Sequence, residues 1–109
     1  MLSKQYRLTK RGSFTYVYNK GFRQRIGLVS LVYVSSKNIR IGFSVPNKVG
    51  KACVRNKLKR QMRAIVKNLL FKMLPAQIVF TLKEESDKLS FRELEQKISE
   101  LLVKAKLMR

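Results

Sequence analysis

Residues 39–75 read IRIGFSVPNKVGKACVRNKLKRQMRAIVKNLLFKMLP, and two periods succeed one another within them. Ile39, Ile41, Phe43 and Val45 alternate with Arg40, Gly42 and Ser44. That is the two-residue period of a strand with one apolar face. Pro46-Asn47 interrupts it. From about Ala52 the apolar residues recur at helical spacing. Val54, Leu58, Met62, Ile65, Leu69 and Met73 fall in a stripe about 100° wide on a helical wheel. The spacing predicts a helix over 52–74, stopped by Pro75. A strand leading into a long amphipathic helix, with its apolar side facing inward, is the frame for the rest of the chain.

Toward the N-terminus, Ser13 is placed to cap a short helix running to about Lys20, with Gly21 as its stop. Phe14, Val17 and Tyr18 share one face of that helix. Gly27–Ser35 is rich in Val, Leu and Tyr and reads as a strand, with Ser35-Ser36-Lys37-Asn38 as a hairpin connection to the next one. A further short strand fits near Phe22–Arg25. Toward the C-terminus, Gln77–Leu82 is a short apolar strand. Ser90 then caps a last helix to about Lys106, with Leu94, Ile98, Leu101 and Leu102 on one face. The order α-β-β-(β)-α-β-α predicts an α+β fold, a small mixed sheet packed with helices. With 109 residues and no Pro/Ser linker or repeat, 1–109 reads as one domain. No apolar run approaches the roughly 20 residues that span a bilayer. The stretch Met1 to Gly12 is polar and basic, unlike a signal peptide. A cytoplasmic protein is expected. The single cysteine, Cys53, excludes an internal disulfide and reads as a buried structural thiol.

Charge carries the functional signal. The chain has 25 Lys and Arg against 6 Asp and Glu, a net charge of +19. All six acids lie between Glu84 and Glu100, so residues 1–83 hold 19 bases and no acid. Such a segment repels itself and calls for a polyanion. On the long helix Arg55, Lys59, Arg63 and Lys67 follow one another at i+4 beside the apolar stripe, and Asn56 and Arg60 widen that arc to roughly 140°. Each like-charge i,i+4 pair costs roughly 0.2–0.5 kcal/mol in isolation. A merely solvated face would interleave Glu at these spacings, and this one has none. A ladder of Arg and Lys at helical steps suits nucleic-acid phosphates, and Asn56 can reach a base edge or a 2′-hydroxyl.

The groups that a protein nuclease needs are missing from this region. The chain has no histidine, and the basic region has no carboxylate to hold a metal or take a proton. Glu84-Glu85-Ser86-Asp87 reads as a surface turn, and Cys53 has no histidine to activate it. No phosphate-binding glycine loop and no zinc spacing occurs. Neither catalytic residues nor a metal site is expected in the protein, and no small-molecule substrate.

Gly42 to Arg63, GFSVPNKVGKACVRNKLKRQMR, resembles the signature of the bacterial ribonuclease P protein component. That family pattern runs from a G-x-S-V strand through K-x-G-x-A to R-N-x-x-K-R-x-x-R on a helix. Arg7-Leu8, Phe14, Tyr18, the strands and the closing helix agree with it, so the resemblance covers essentially the whole chain. It implies a protein that assists a catalytic RNA. The RNA uses Mg²⁺ to hydrolyse a phosphodiester bond and so removes the 5′ leader of precursor tRNA, and the protein alone binds no cofactor. Carried onto this sequence, Lys48, Lys51, Arg55, Asn56, Lys59, Arg60 and Arg63 bind the catalytic RNA. Phe14, Tyr18, Ser44 and, to within one residue of strand alignment, Tyr33 line a cleft for the leader. The resemblance also implies an uncommon left-handed βαβ crossover.

The sequence departs from the pattern at Asn47, which replaces the first of two common lysines, at Lys57, where Arg is common, and at Tyr18, where Phe is common. The competing reading is a ribosomal protein or general RNA chaperone that binds structured RNA without aiding any reaction. The Arg55-Asn56 to Arg63 signature with the Phe14/Tyr18 pair separates the two. A membrane-active role is disfavoured, because the basic helix needs its apolar face for the core.

Overall fold

The computed structural model describes residues 6–8 and 11–108; the rest of the basic opening segment, 1–5 with 9 and 10, lies outside them, as does Arg109. Helix α1 (Arg11–Lys20) is followed by strands β1 (Phe22–Ile26), β2 (Val29–Ser35) and β3 (Arg40–Ser44). Helix α2 (Ala52–Leu69), strand β4 (Ala76–Leu82) and helix α3 (Phe91–Lys104) complete the chain. The four strands form one mixed sheet in the order β1-β2-β4-β3.

That order corrects the expected hairpin at Ser35–Asn38. Strands β2 and β3 are not neighbours, because β4 lies between them, antiparallel to β2 and parallel to β3. The composition of β4 explains the insertion. Ala76, Ile78, Phe80 and Leu82 are buried on one face and Val79 on the other, so β4 buries apolar side chains on both sides. Only a central position covers both faces and satisfies both backbone edges. Strand β1, with exposed Arg23 and Arg25, tolerates an edge. It joins β2 through the two-residue turn Gly27-Leu28, in which Gly27 has φ 58°. This left-handed first position is the one a type II′ turn reserves for glycine. The β3–α2–β4 connection supplies the crossover that a parallel pair requires.

The main core lies between one face of the sheet and helices α2 and α3. Leu31, Phe80 and Phe43 sit side by side across three strands, and the Phe43 and Phe80 rings stack at 5.9 Å. Leu58, Met62, Ile65 and Val66 from α2 and Leu94, Ile98, Leu101 and Leu102 from α3 close over them. A smaller cluster on the opposite face joins Val17 of α1 to Leu8, Val32 and Val79, with Phe14 and Tyr18 at its margin.

Several boundaries differ from the sequence reading. Helix α1 begins at Arg11, so Ser13 lies within its first turn and does not precede it. Helix α2 ends at Leu69, well short of Pro75. A 3-10 turn, Leu70–Lys72, leads to Met73, which is extended, fully buried and bridged to Met108. The residue before a proline resists helical geometry, so the chain must leave the helix earlier. Ser90 caps α3 as expected. Its hydroxyl accepts from the Glu93 N–H, and the Ser90 N–H donates to Glu93 Oε1. The Ser90 N–H bond, with the Ser90 side chain second, holds the Glu93 carboxyl below the usual carboxylate range. At the far end Lys106 takes a left-handed φ of 60°. Its N–H donates to Val103 O, and the Leu107 N–H donates to Leu102 O. This is a Schellman stop built on lysine where glycine is usual. Among the described residues no helix is long and apolar enough to cross a membrane.

Candidate nucleic-acid interface

Helix α2 buries its apolar stripe and turns its bases outward. Cys53, Asn56, Lys59, Arg60 and Arg63 line a groove of about 520 Å³. This overturns the reading of Cys53 as a buried thiol, because the side chain is exposed. At the i, i+3, i+7 and i+10 steps Cys53, Asn56, Arg60 and Arg63 share the polar face, away from Leu58 and Met62. The first turn of α2 holds no acid, and its N-cap residue, Lys51, makes no capping bond through its side chain. The helix start therefore adds its own positive end to the basic row.

The loop before α2 is fixed from within. Val49 is buried, and Arg55 Nε donates to Gly50 O at 3.1 Å. Arg55 thus stands half-buried and clamps the loop, while Lys48 and Lys51 are exposed on it. These three bases do not line the groove that gathers Asn56, Lys59, Arg60 and Arg63.

Lys59 and Arg63 have a second role. Together with Arg7, Phe14, Gly42 and Phe43 they border a hollow of about 120 Å³ at the β3 edge. Phe14 lies so close over Gly42 that a β-carbon there would come within 2.5 Å of the ring. The α2 bases and the aromatic end of α1 are therefore parts of one surface.

On the α1 side of the sheet the register sets out parallel rows of side chains. Gly42, Val79, Val32 and Arg23 form the row beneath α1. The next row is Ser44, Thr81, Ser30 and Arg25, polar throughout. Tyr18 reaches this row, with its hydroxyl 2.9 Å from Thr81 Oγ1. The Arg23 guanidinium lies 5.9 Å from the centre of the Tyr18 ring and donates to Tyr18 O. Phe14, Tyr18 and Ser44 thus belong to one face, with α1 as a wall and the hydroxyl row as an open floor.

Tyr33 does not join them. It pairs in register with Ile78 and Phe22 on the opposite face, packs against the main core, and its ring lies 5.7 Å from that of Phe22. Its neighbours Val32 and Val34 face α1 instead. The one-residue alternation of a strand decides this, and a reading off by one residue chooses the wrong face. Ser30 and Thr81, which face each other across β2 and β4, are not singled out by the sequence pattern. Their signal is a hydroxyl flanked by apolar residues in each of two strands, Val29-Ser30-Leu31 and Phe80-Thr81-Leu82.

The protein-family model described as Ribonuclease P matches residues 2–106. A ribonuclease P protein component from a Pseudanabaena species is 40% identical over 113 residues, covering 99% of this chain and 97% of that protein. One from a Cyanothece species is 34% identical, with 99% and 98% covered. The solved structure of the Staphylococcus aureus RNase P protein matches with a TM-score of 0.90 at 26% identity, over 97% of this chain and 100% of its own.

Proposed function

This chain belongs to the bacterial ribonuclease P protein family, and from that premise we propose that it grips the catalytic RNA with α2 and the 5′ leader of precursor tRNA with the α1 side of its sheet. As the protein component of ribonuclease P, a tRNA-processing endoribonuclease, it has an RNA subunit as its partner. The observation that carries the finer reading is the sharing of Lys59 and Arg63 between the α2 groove and the Phe14–Gly42 hollow. One continuous surface can then meet a folded RNA on one side and a single strand on the other.

The division of labour follows from residue chemistry. Lys48, Lys51, Arg55, Lys59, Arg60 and Arg63 neutralise phosphates of the RNA subunit, and Asn56 supplies an amide for a 2′-hydroxyl or base edge. Tyr18 and Phe14 offer rings to unpaired leader bases. Stacking of this kind is tolerant of sequence, as an enzyme that trims many leaders requires. Ser44 offers a hydrogen bond beside them. No step of bond cleavage falls to the protein. Mg²⁺ and the hydrolysis are left to the RNA. The holoenzyme works in the cytoplasm, where tRNA precursors are made.

The test is cleavage of a precursor tRNA by a bacterial ribonuclease P RNA at low Mg²⁺, with and without this protein. Addition should restore cleavage at the 5′ end of the mature sequence. An RNA indifferent to the protein would remove the reading.

A further inference from the structure

Across the sheet from α2 lies a second group of bases. Arg23 and Arg25 of β1 and Lys83, just past β4, line a pocket of about 370 Å³ whose floor includes Ser30. All three bases are exposed, and no acid lines the pocket. Neither Arg25 nor Lys83 has an ion-pair partner among the described residues. The register ties this group to the leader face. Arg25 is the β1 member of the row Ser44–Thr81–Ser30–Arg25, and Arg23 is hydrogen-bonded to Tyr18.

The hydroxyl row is thus a floor between two basic banks. At one end stand Lys59 and Arg63, at the other Arg25 and Lys83. Three strand spacings separate Ser44 from Arg25, about 14 Å. That floor is half-buried and polar, and α1 leaves it open. A single strand that crosses it presents bases to Tyr18 and phosphates to the banks. Three exposed bases around a pocket that no acid lines suit the phosphodiester groups of that strand.

We propose that Arg23, Arg25 and Lys83 form a second phosphate-binding bank that holds the part of the leader far from the cleavage site. The proposal rests on the leader reading above. Its polarity follows from the placement of α2. The catalytic RNA bound there carries the hydrolytic centre, so leader nucleotides near the scissile bond of the precursor lie by α2 and more distant ones lie toward β1. The bank therefore acts only on precursors with leaders long enough to cross the floor.

The experiment uses the assembled holoenzyme and precursor tRNAs with leaders of increasing length, together with mature tRNA. Arg25→Ala/Lys83→Ala is compared with wild type and with Tyr18→Ala. The expected result is a loss on the order of tenfold in affinity for long leaders, with short leaders and mature tRNA unchanged. In the wild-type protein, uncharged methylphosphonate linkages placed far upstream should reproduce that loss, and they should add nothing in the double variant. This arm needs no altered protein, so misfolding of the variant cannot obscure the answer. An equal loss for every length, mature tRNA included, would assign the bank to phosphates of the catalytic RNA and overturn the proposal. No loss at any length, while Tyr18→Ala still separates precursor from mature tRNA, would overturn it and leave the leader reading intact. Absence of both effects would remove the two together.

Discussion

Gly42 and Phe14 show how single residues shape the leader face. With no side chain at 42, the Phe14 ring lies directly on the sheet beside Lys59 and Arg63. Gly42→Ala should displace that ring and weaken precursor binding, while leaving the main core, on the opposite face, in place. An unchanged affinity would show that the ring's seat is immaterial. Tyr18 is the sharper probe. Tyr18→Ala in the holoenzyme should weaken precursor tRNA about tenfold, or ~1.4 kcal/mol, with mature tRNA nearly unchanged. Tyr18→Phe loses the bond to Thr81 but keeps the ring, so it should keep most of the preference. The ratio of precursor to mature affinity, with circular dichroism as the folding control, measures both. If Tyr18→Phe matches Tyr18→Ala, the hydroxyl matters and stacking does not.

Among the elements, α2 divides its bases between structure and binding. Arg60 is exposed and lines the groove, so Arg60→Ala should weaken binding of the catalytic RNA by ~1–3 kcal/mol without altering thermal unfolding. Arg55→Ala should do both, because Arg55 also clamps the Gly50 carbonyl. If about six bases of 48–63 meet phosphates, the log–log salt slope of RNA binding should be on the order of −4 to −5. A flat titration would exclude α2 as the RNA face. Helix α3 makes a different prediction. The bonds from Ser90 lower the Glu93 pKa, so the capping box contributes stability above the ordinary carboxylate range. That contribution is lost as pH falls through the lowered value. Ser90→Ala should cost about 1 kcal/mol near neutral pH, and the cost should shrink as Glu93 is protonated. Denaturant titrations at neutral and acid pH check the sign.

For the whole molecule, the distribution of charge matters more than its total. Residues 1–83 contain every strand and the first two helices, carry 19 bases and lack acids. The free protein therefore folds against its own repulsion. Its unfolding temperature should rise with moderate salt, and rise further with a short RNA or polyphosphate, since a ligand that binds only the folded state stabilises it. A calorimetric series checks this, and a melting point indifferent to salt would mean that the repulsion is negligible. The same composition predicts that the purified protein cleaves no RNA under any metal. Cleavage abolished by changing a residue of this chain would contradict that.

The sequence by itself determined the elements and the partner class. Alternation over Ile39–Val45, the stripe from Val54 to Ile65 and the Ser90 cap each depend on neighbours along the chain, and each stands where local spacing puts it. The acid-free basic face of α2 was legible for the same reason, since residues at i+4 meet whatever the rest of the fold does. Tertiary structure decided what depends on distant partners. It placed β4 between β2 and β3, because only there are both of its faces covered and both of its backbone edges paired. It turned Tyr33 toward the main core and Cys53 toward solvent, and it ended α2 at Leu69 so that Met73 could be buried beside Met108. It also aligned Ser44, Thr81, Ser30 and Arg25, residues from four strands, into one floor. No local pattern contains that row, because it exists only once the register of the sheet is set.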